Sequence, residues 1–419
     1  MAKITRRTFV KGAVAGITGA TLFSNIGRPF IYAQTKDPIK VGYLEPLTGM
    51  FAGVGIGQIR GAELAEKHIN AGGGILGRPV KLFEEDEEAK TEVATRKARR
   101  LVLEEGVIAL HGSVSTAVTT SLMDVAKRYG VIHYDYELDG TSVFAAMHKL
   151  AFRLGNDAPV PIRGIVKAFS MKFPEIKRWV ALVPDYAWGH DCWNLFVEAV
   201  NKWMKGVEVL QVLHPLGSSD FSPYILKIMD MQPQAFINFD WSGDMITFIK
   251  QAKPYGLYKK VIGAYVSSVT DVCMALKDQM EPMWCALIEG YPFLPWAINF
   301  SKAYRKEMGE WPGSDFTACY YDSLFILKRA IEKAQSTKPD AIAKAMEGLT
   351  FEGIGSGWLH IRQTSHLPDK KTFYIGKVAP STDYPFYIAR DLIEVPGSEA
   401  TVSDEEAKTR WKCPFPYKE

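Results

Sequence analysis

The chain is poor in the features that announce an enzyme. Its 419 residues contain no Gly-x-Ser-x-Gly nucleophile elbow and no phosphate loop ending in Gly-Lys-Ser/Thr. Gly53-Val54-Gly55-Ile56-Gly57 lacks the spacing of a dinucleotide fingerprint. The eight histidines include no His-Glu-x-x-His pair, so no metal site is expected. Cysteine is scarce: Cys192, Cys273, Cys285, Cys319 and Cys413 form no Cys-x-x-Cys pair, which argues against a zinc or redox motif. No cofactor is expected. Neither charge sign dominates, with 50 Lys and Arg against 47 Asp and Glu, a net +3. Only one apolar stretch stands out, near the start, and it is too short and glycine-rich to span a bilayer stably. A hydrophobic content of 47% then implies a large globular core.

That stretch lies within residues 1–33, which have the order of an export signal. Arg6 and Arg7 form a twin-arginine pair, a mild apolar run follows, and Ile31-Tyr32-Ala33 offers a cleavage point after Ala33. No cysteine lies near that point to carry a lipid anchor. The segment holds five basic residues and no acid, so removing it takes the net charge from +3 to −2. A slightly acidic body argues against nucleic-acid binding. Export to an oxidising compartment permits disulfides, with Cys273–Cys285 or Cys319–Cys413 as possible pairs and at least one thiol left over.

From residue 37 onward, short β-branched runs alternate with amphipathic ones. Strands are expected at 39–44, 79–83, 107–110 and 131–134, with helices at 57–70, 92–103 and 117–129 between them. The rhythm restarts after Arg153. Strands are then expected at 179–183, 207–212, 235–239 and 261–264, and long helices at 299–308, 317–334 and 339–347 follow. This predicts an α/β protein with two doubly wound parallel-sheet lobes. Residues 396–419 read as an extended, charged tail.

Ligands of open parallel sheets bind beyond the carboxyl ends of the strands. There the chain places Ser113-Val114-Ser115-Thr116 opening a helix, whose free N–H groups suit an anion, although ordinary N-capping explains them equally. Asp135-Tyr136-Glu137-Leu138-Asp139 supplies three acids. Tyr186 and Trp188, Asp240 and Trp241, and Tyr265 with Ser267 and Ser268 put aromatics at three strand ends of one lobe, the composition of a small-molecule cleft.

Several segments carry a family resemblance: Pro46-Leu47-Thr48-Gly49, Gly61-Ala62-Glu63-Leu64-Ala65, Asn70-Ala71-Gly72-Gly73-Gly74-Ile75-Leu76-Gly77-Arg78-Pro79-Val80, Phe152-Arg153, Tyr186-Ala187-Trp188-Gly189, Asp220-Phe221-Ser222, Tyr255-Gly256-Leu257 and Tyr321-Asp322. Together they make the chain resemble the type I periplasmic solute-binding proteins of ABC importers, in the branched-chain amino acid and amide branch. The resemblance covers about residues 37–380. It implies two lobes joined by a three-segment hinge, the first formed by 37–153 plus 288–350 and the second by 154–287 plus 351–395. It also implies a periplasmic monomer whose partners are a small-molecule ligand and an inner-membrane ABC permease, with no nucleic acid involved.

By the same resemblance Ser115 and Thr116 hold the ligand's carboxylate or carbonyl, and Glu137 and Asp139 touch its head group. Trp188 and Trp241 wall the cleft. Tyr265 stands where amino-acid binders commonly carry an acid for the ammonium group, so Glu137, Asp139 or Asp240 has to substitute for it. The expected function is capture of a branched-chain or other amino acid, or an amide, by lobe closure. The alternatives are an aromatic carboxylate stacked on the indoles, a cleft hydrolase using Glu137 and Asp240, and a sensing module.

Overall fold

A computed structural model describes residues 37–288 and 290–417; the signal residues Arg6, Arg7 and Ala33 lie outside them. Strands β1 (Ile39–Glu45), β2 (Val80–Asp86), β3 (Ala109–His111), β4 (Ile132–Asp135) and β5 (Ala151–Arg153) form a parallel sheet in the order β2-β1-β3-β4-β5. Strands β6 (Arg178–Pro184), β7 (Glu208–His214), β8 (Ala235–Asn238), β9 (Ile262–Tyr265) and β10 (Met283–Leu287) repeat the arrangement as β7-β6-β8-β9-β10. The inner strands are largely apolar because helices cover both faces, whereas the edge strands β2 and β7 carry exposed polar residues. The duplicated order thus appears in the architecture without a sequence repeat.

The segment 350–369 forms a small sheet of its own, from β11 (Thr350–Gly353), β12 (Gly357–Ile361) and β13 (Pro368–Asp369). It is fastened to the first lobe. Asp322, on the helix Thr317–Ala334, accepts the Ser356 N–H at 2.9 Å and the Ser356 hydroxyl at 2.7 Å, and the Arg153 N–H reaches the His366 carbonyl at 3.0 Å. The chain therefore crosses to the second lobe after Asp369 and not at 350/351. Strands β14 (Thr372–Ala379) and β15 (Ile388–Pro396) then extend the second sheet antiparallel beyond β10.

The helix Ala52–Ala71 begins five residues before its expected start, across a glycine-rich stretch. Close packing explains the glycines. A Cβ on Gly55 would lie 2.2 Å from the Pro46 carbonyl oxygen, and one on Gly61 would lie 2.0 Å from that of Thr317. Gly61 lets this helix lie directly on the helix Thr317–Ala334, and Gly55 lets the turn at Pro46 close against it.

Residues 396–417 depart from the extended tail expected of them. They form helices Gly397–Ala400 and Asp404–Trp411. Ser403 caps the second by accepting the Glu406 N–H at 3.1 Å, and three acids in the first turn suit the helix dipole. Trp411 stacks on Phe144 of the first lobe with ring centroids 4.9 Å apart, while Arg163 of the second pairs with Glu406. All five cysteines are buried and none forms a disulfide, in place of the possible pairs: Cys319 lies in the main core, Cys273 and Cys285 in that of the second lobe, and Cys413 under the C-terminal helix.

Candidate functional site

A cavity lies at the strand ends between the lobes. The first lobe contributes Val54, Val114, Thr116, Glu137, Leu138 and Phe316. The second contributes Tyr186, Trp188, Trp241, Ser242, Ser267, Ser268 and Asp271. Its position follows from the sheets, because each strand delivers its following loop to the same edge.

Four of the expected residues meet on this wall: Thr116, Glu137, Trp188 and Trp241. The Thr116 hydroxyl oxygen accepts the Gly140 N–H at 2.9 Å, which pins the acidic loop to the helix start. Glu137 accepts bonds from Gln58 Nε2 at 3.1 and 3.2 Å and lies against the Tyr320 hydroxyl, which also contacts Glu45. Burial, with Asp139 and Asp135 near by, holds the Glu137 carboxyl well above the usual range. Trp188 donates Nε1–H to the Phe239 carbonyl at 2.8 Å, and Trp241 donates to the Tyr186 hydroxyl at 2.9 Å. Both indoles are almost fully buried, at 4% and 8% exposure.

The other four expected residues lie off the wall. Ser115 is half-buried at the N-cap of the helix Thr116–Tyr129. Asp139 is turned to Arg153, which reaches it at 2.7 Å and also pairs with Asp135 and Asp157. Asp240 is bound to His214 at 2.7 Å. Tyr265 is buried in the second-lobe core and donates to the Ser268 carbonyl at 3.0 Å.

Asp271 has no counterpart among the expected residues. It sits in the first turn of the helix Thr270–Leu276, and its Oδ1 accepts the Ser268 hydroxyl at 2.9 Å. Its Oδ2 has no hydrogen-bond partner. Burial pushes its carboxyl up to about 6. The one available signal was an acid six residues past the end of β9, on the next helix. Among the described residues, no lysine or arginine lines the cavity.

The lobes are closed over this space. Phe51 of the first lobe stacks on Trp241 of the second, with centroids 3.8 Å apart. Asp191 of the second lobe accepts the Thr141 N–H at 2.7 Å and its hydroxyl at 3.0 Å. Asp315 accepts the N–H groups of Val269 and Thr270 at 3.1 and 3.0 Å.

A family model described as periplasmic binding protein matches residues 38–383, most of the chain. The chain belongs to the periplasmic binding protein family. Among curated members, this binding protein is 24% identical over 350 residues to the Leu/Ile/Val-binding protein homolog 8 of Brucella abortus, spanning 80% of this chain and 85% of that relative. Among solved structures it resembles a periplasmic binding protein from Burkholderia mallei, with TM-score 0.77, 20% identity, and coverage of 90% of this chain and 99% of that one. It also resembles the solute-binding protein of an ABC transporter from Rhodopseudomonas palustris in complex with 3,4-dihydroxybenzoic acid, with TM-score 0.76, 21% identity, and coverage of 88% and 100%. The matched family and the fold are those of periplasmic binding proteins. Among the described residues no helix is long and apolar enough to cross a membrane.

Proposed function

We propose that this periplasmic binding protein captures an α-amino acid with an apolar or aromatic side chain and presents it, lobes closed, to its permease. One observation supports the reading: two buried carboxyl groups, Glu137 and Asp271, line the cavity, and among the described residues no lysine or arginine lines it with them, Arg153 lying behind the Glu137 loop and paired with Asp135, Asp139 and Asp157. A ligand ammonium group supplies the missing positive charge at Asp271, whose Oδ2 has no other partner. Thr116 and the first N–H groups of its helix take the ligand carboxylate. Trp188, Trp241 and Phe316 enclose the side chain. Closure follows because the ligand touches both lobes only when they are together.

The indole walls favour a second reading, an aromatic carboxylate of the kind held by the Rhodopseudomonas palustris structure. That ligand requires Glu137 or Asp271 to stay protonated and act as a donor. Thermal shift against leucine, phenylalanine, tryptophan, benzoate and 4-hydroxybenzoate separates the two. Ligand at 100 times its Kd stabilises by about 2.7 kcal/mol. Shifts with the amino acids support the proposal; shifts with the benzoates alone overturn it.

A further inference from the structure

Behind the Trp241 wall, the second lobe holds a buried side-chain cluster that the solute cavity does not use. His214 ends β7, Asp240 lies two residues beyond β8, and Asp244 is in the first turn of the helix Ser242–Tyr255. All three are buried. One ring nitrogen and one oxygen from each carboxylate lie within 4.8 Å of one another. His214 Nδ1 faces the Pro215 carbonyl at 2.9 Å, and Nε2 faces Asp240 Oδ1 at 2.7 Å. Asp244 Oδ2 accepts the Gly217 N–H at 2.8 Å. Asp240 Oδ2 and Asp244 Oδ1 are left with no donor, although both residues are fully buried. A singly charged imidazolium does not balance two carboxylates, and an unpaired carboxylate oxygen in the interior is costly.

We propose that His214, Asp240 and Asp244 form a binding site for a transition-metal dication, with Zn²⁺ the best fit. An Nδ1–H donated to a backbone carbonyl is the outer-shell arrangement that leaves Nε2 free as a metal ligand. The dication takes the place of the proton between His214 and Asp240 and balances both carboxylates. One nitrogen and two oxygens suit an open tetrahedral site completed by water. Ca²⁺, which takes six to eight oxygens, fits this set poorly. The exposed turn Pro215-Leu216-Gly217 covers the cluster and offers the entry route. The site joins that turn to the segment carrying Trp241 and Ser242. Gly243 in the same segment packs on the first lobe, where a Cβ would lie 2.6 Å from the Met50 carbonyl oxygen. Metal at this point stiffens one wall of the solute cavity, and the proposal makes no assumption about the solute.

The test is calorimetric titration of the chelator-stripped protein with ZnCl2, with CaCl2 as the comparison arm. The expected result is one Zn²⁺ per chain, a raised Tm, and no response to Ca²⁺. Asp244→Asn and Asp240→Asn should each weaken Zn²⁺ binding at least about tenfold, whereas His190→Ala, at a surface His–Asp pair, should leave it unchanged. Should the aspartate variants fail to fold, Co²⁺ in the unmodified protein gives the decisive readout, with intense visible bands expected from a tetrahedral site. Absence of stoichiometric Zn²⁺ binding, binding unaffected by both aspartate variants, or a Co²⁺ spectrum of the hydrated ion overturns the proposal.

Discussion

Replacing Asp271 with asparagine keeps the shape of the side chain and removes its charge, and the structure predicts opposite effects on stability and binding. In the folded, ligand-free protein the Asp271 carboxyl titrates at about 6, against an ordinary 3.8, because it is buried with only Ser268 and Ser242 hydroxyls and nearby backbone N–H groups to stabilise its charge. As pH rises from 3.8 the unfolded chain ionises first, so stability falls until about pH 6 and stays lower above it. The gap corresponds to about 3 kcal/mol. Asp271→Asn should therefore raise the ligand-free Tm at pH 7.5 and flatten its pH dependence across that window. Affinity for an amino acid should fall, by about 2 to 5 kcal/mol if a buried ammonium loses its charged partner. In the unmodified protein, affinity should drop about tenfold per pH unit below 6 and level off above it. Calorimetry between pH 5 and 8 on both proteins measures each quantity. A variant that binds amino acids as tightly as the parent, with the same pH profile, refutes the reasoning.

Trp241→Ala removes the stack on Phe51 and the bond to Tyr186, and should weaken solute binding more than about tenfold while shifting the protein toward open lobes, visible by small-angle scattering. Asp191→Ala breaks an interlobe contact made by a residue that does not itself line the cavity. It should reduce the closed-to-open ratio about fivefold, for a loss of about 1 kcal/mol, and lower affinity to the same extent for every ligand. In an Ellman assay the native protein should show no fast-reacting thiol, and five should appear in guanidinium without reductant; three would indicate a disulfide.

The alternation of apolar runs made both sheets legible, and the helix Thr317–Ala334 stands where its periodicity predicts it. Thr116, Glu137, Trp188 and Trp241 share one wall because strand order, visible in the pattern, brings strand ends together. Their roles as ligand contacts are part of the proposal. What escaped the sequence is decided by partners far along the chain. Arg153 draws Asp139 away from the wall, and His214 does the same to Asp240, neither being a neighbour in sequence. Asp271 falls outside the strand-end pattern because it lies on the following helix, six residues past the end of β9. The helical C-terminal segment was hidden by its charges. Contacts with residues far along the chain, such as the stack of Trp411 on Phe144 and the pairing of Glu406 with Arg163, give it a surface to fold upon.

That segment lies beyond the end of the family match at residue 383. It is bolted to one half through Phe144, Arg362 and Ser365, and to the other through Arg163 and Glu198. Separating the halves therefore means either peeling it off one of them or swinging it along as a stay that caps the angle of the jaws. Such a stay sets the resting gape by its own adhesion, independently of how well any guest fits the cleft. Trimming those last two dozen residues would thus change how readily the empty protein gapes without altering a single atom in the cleft.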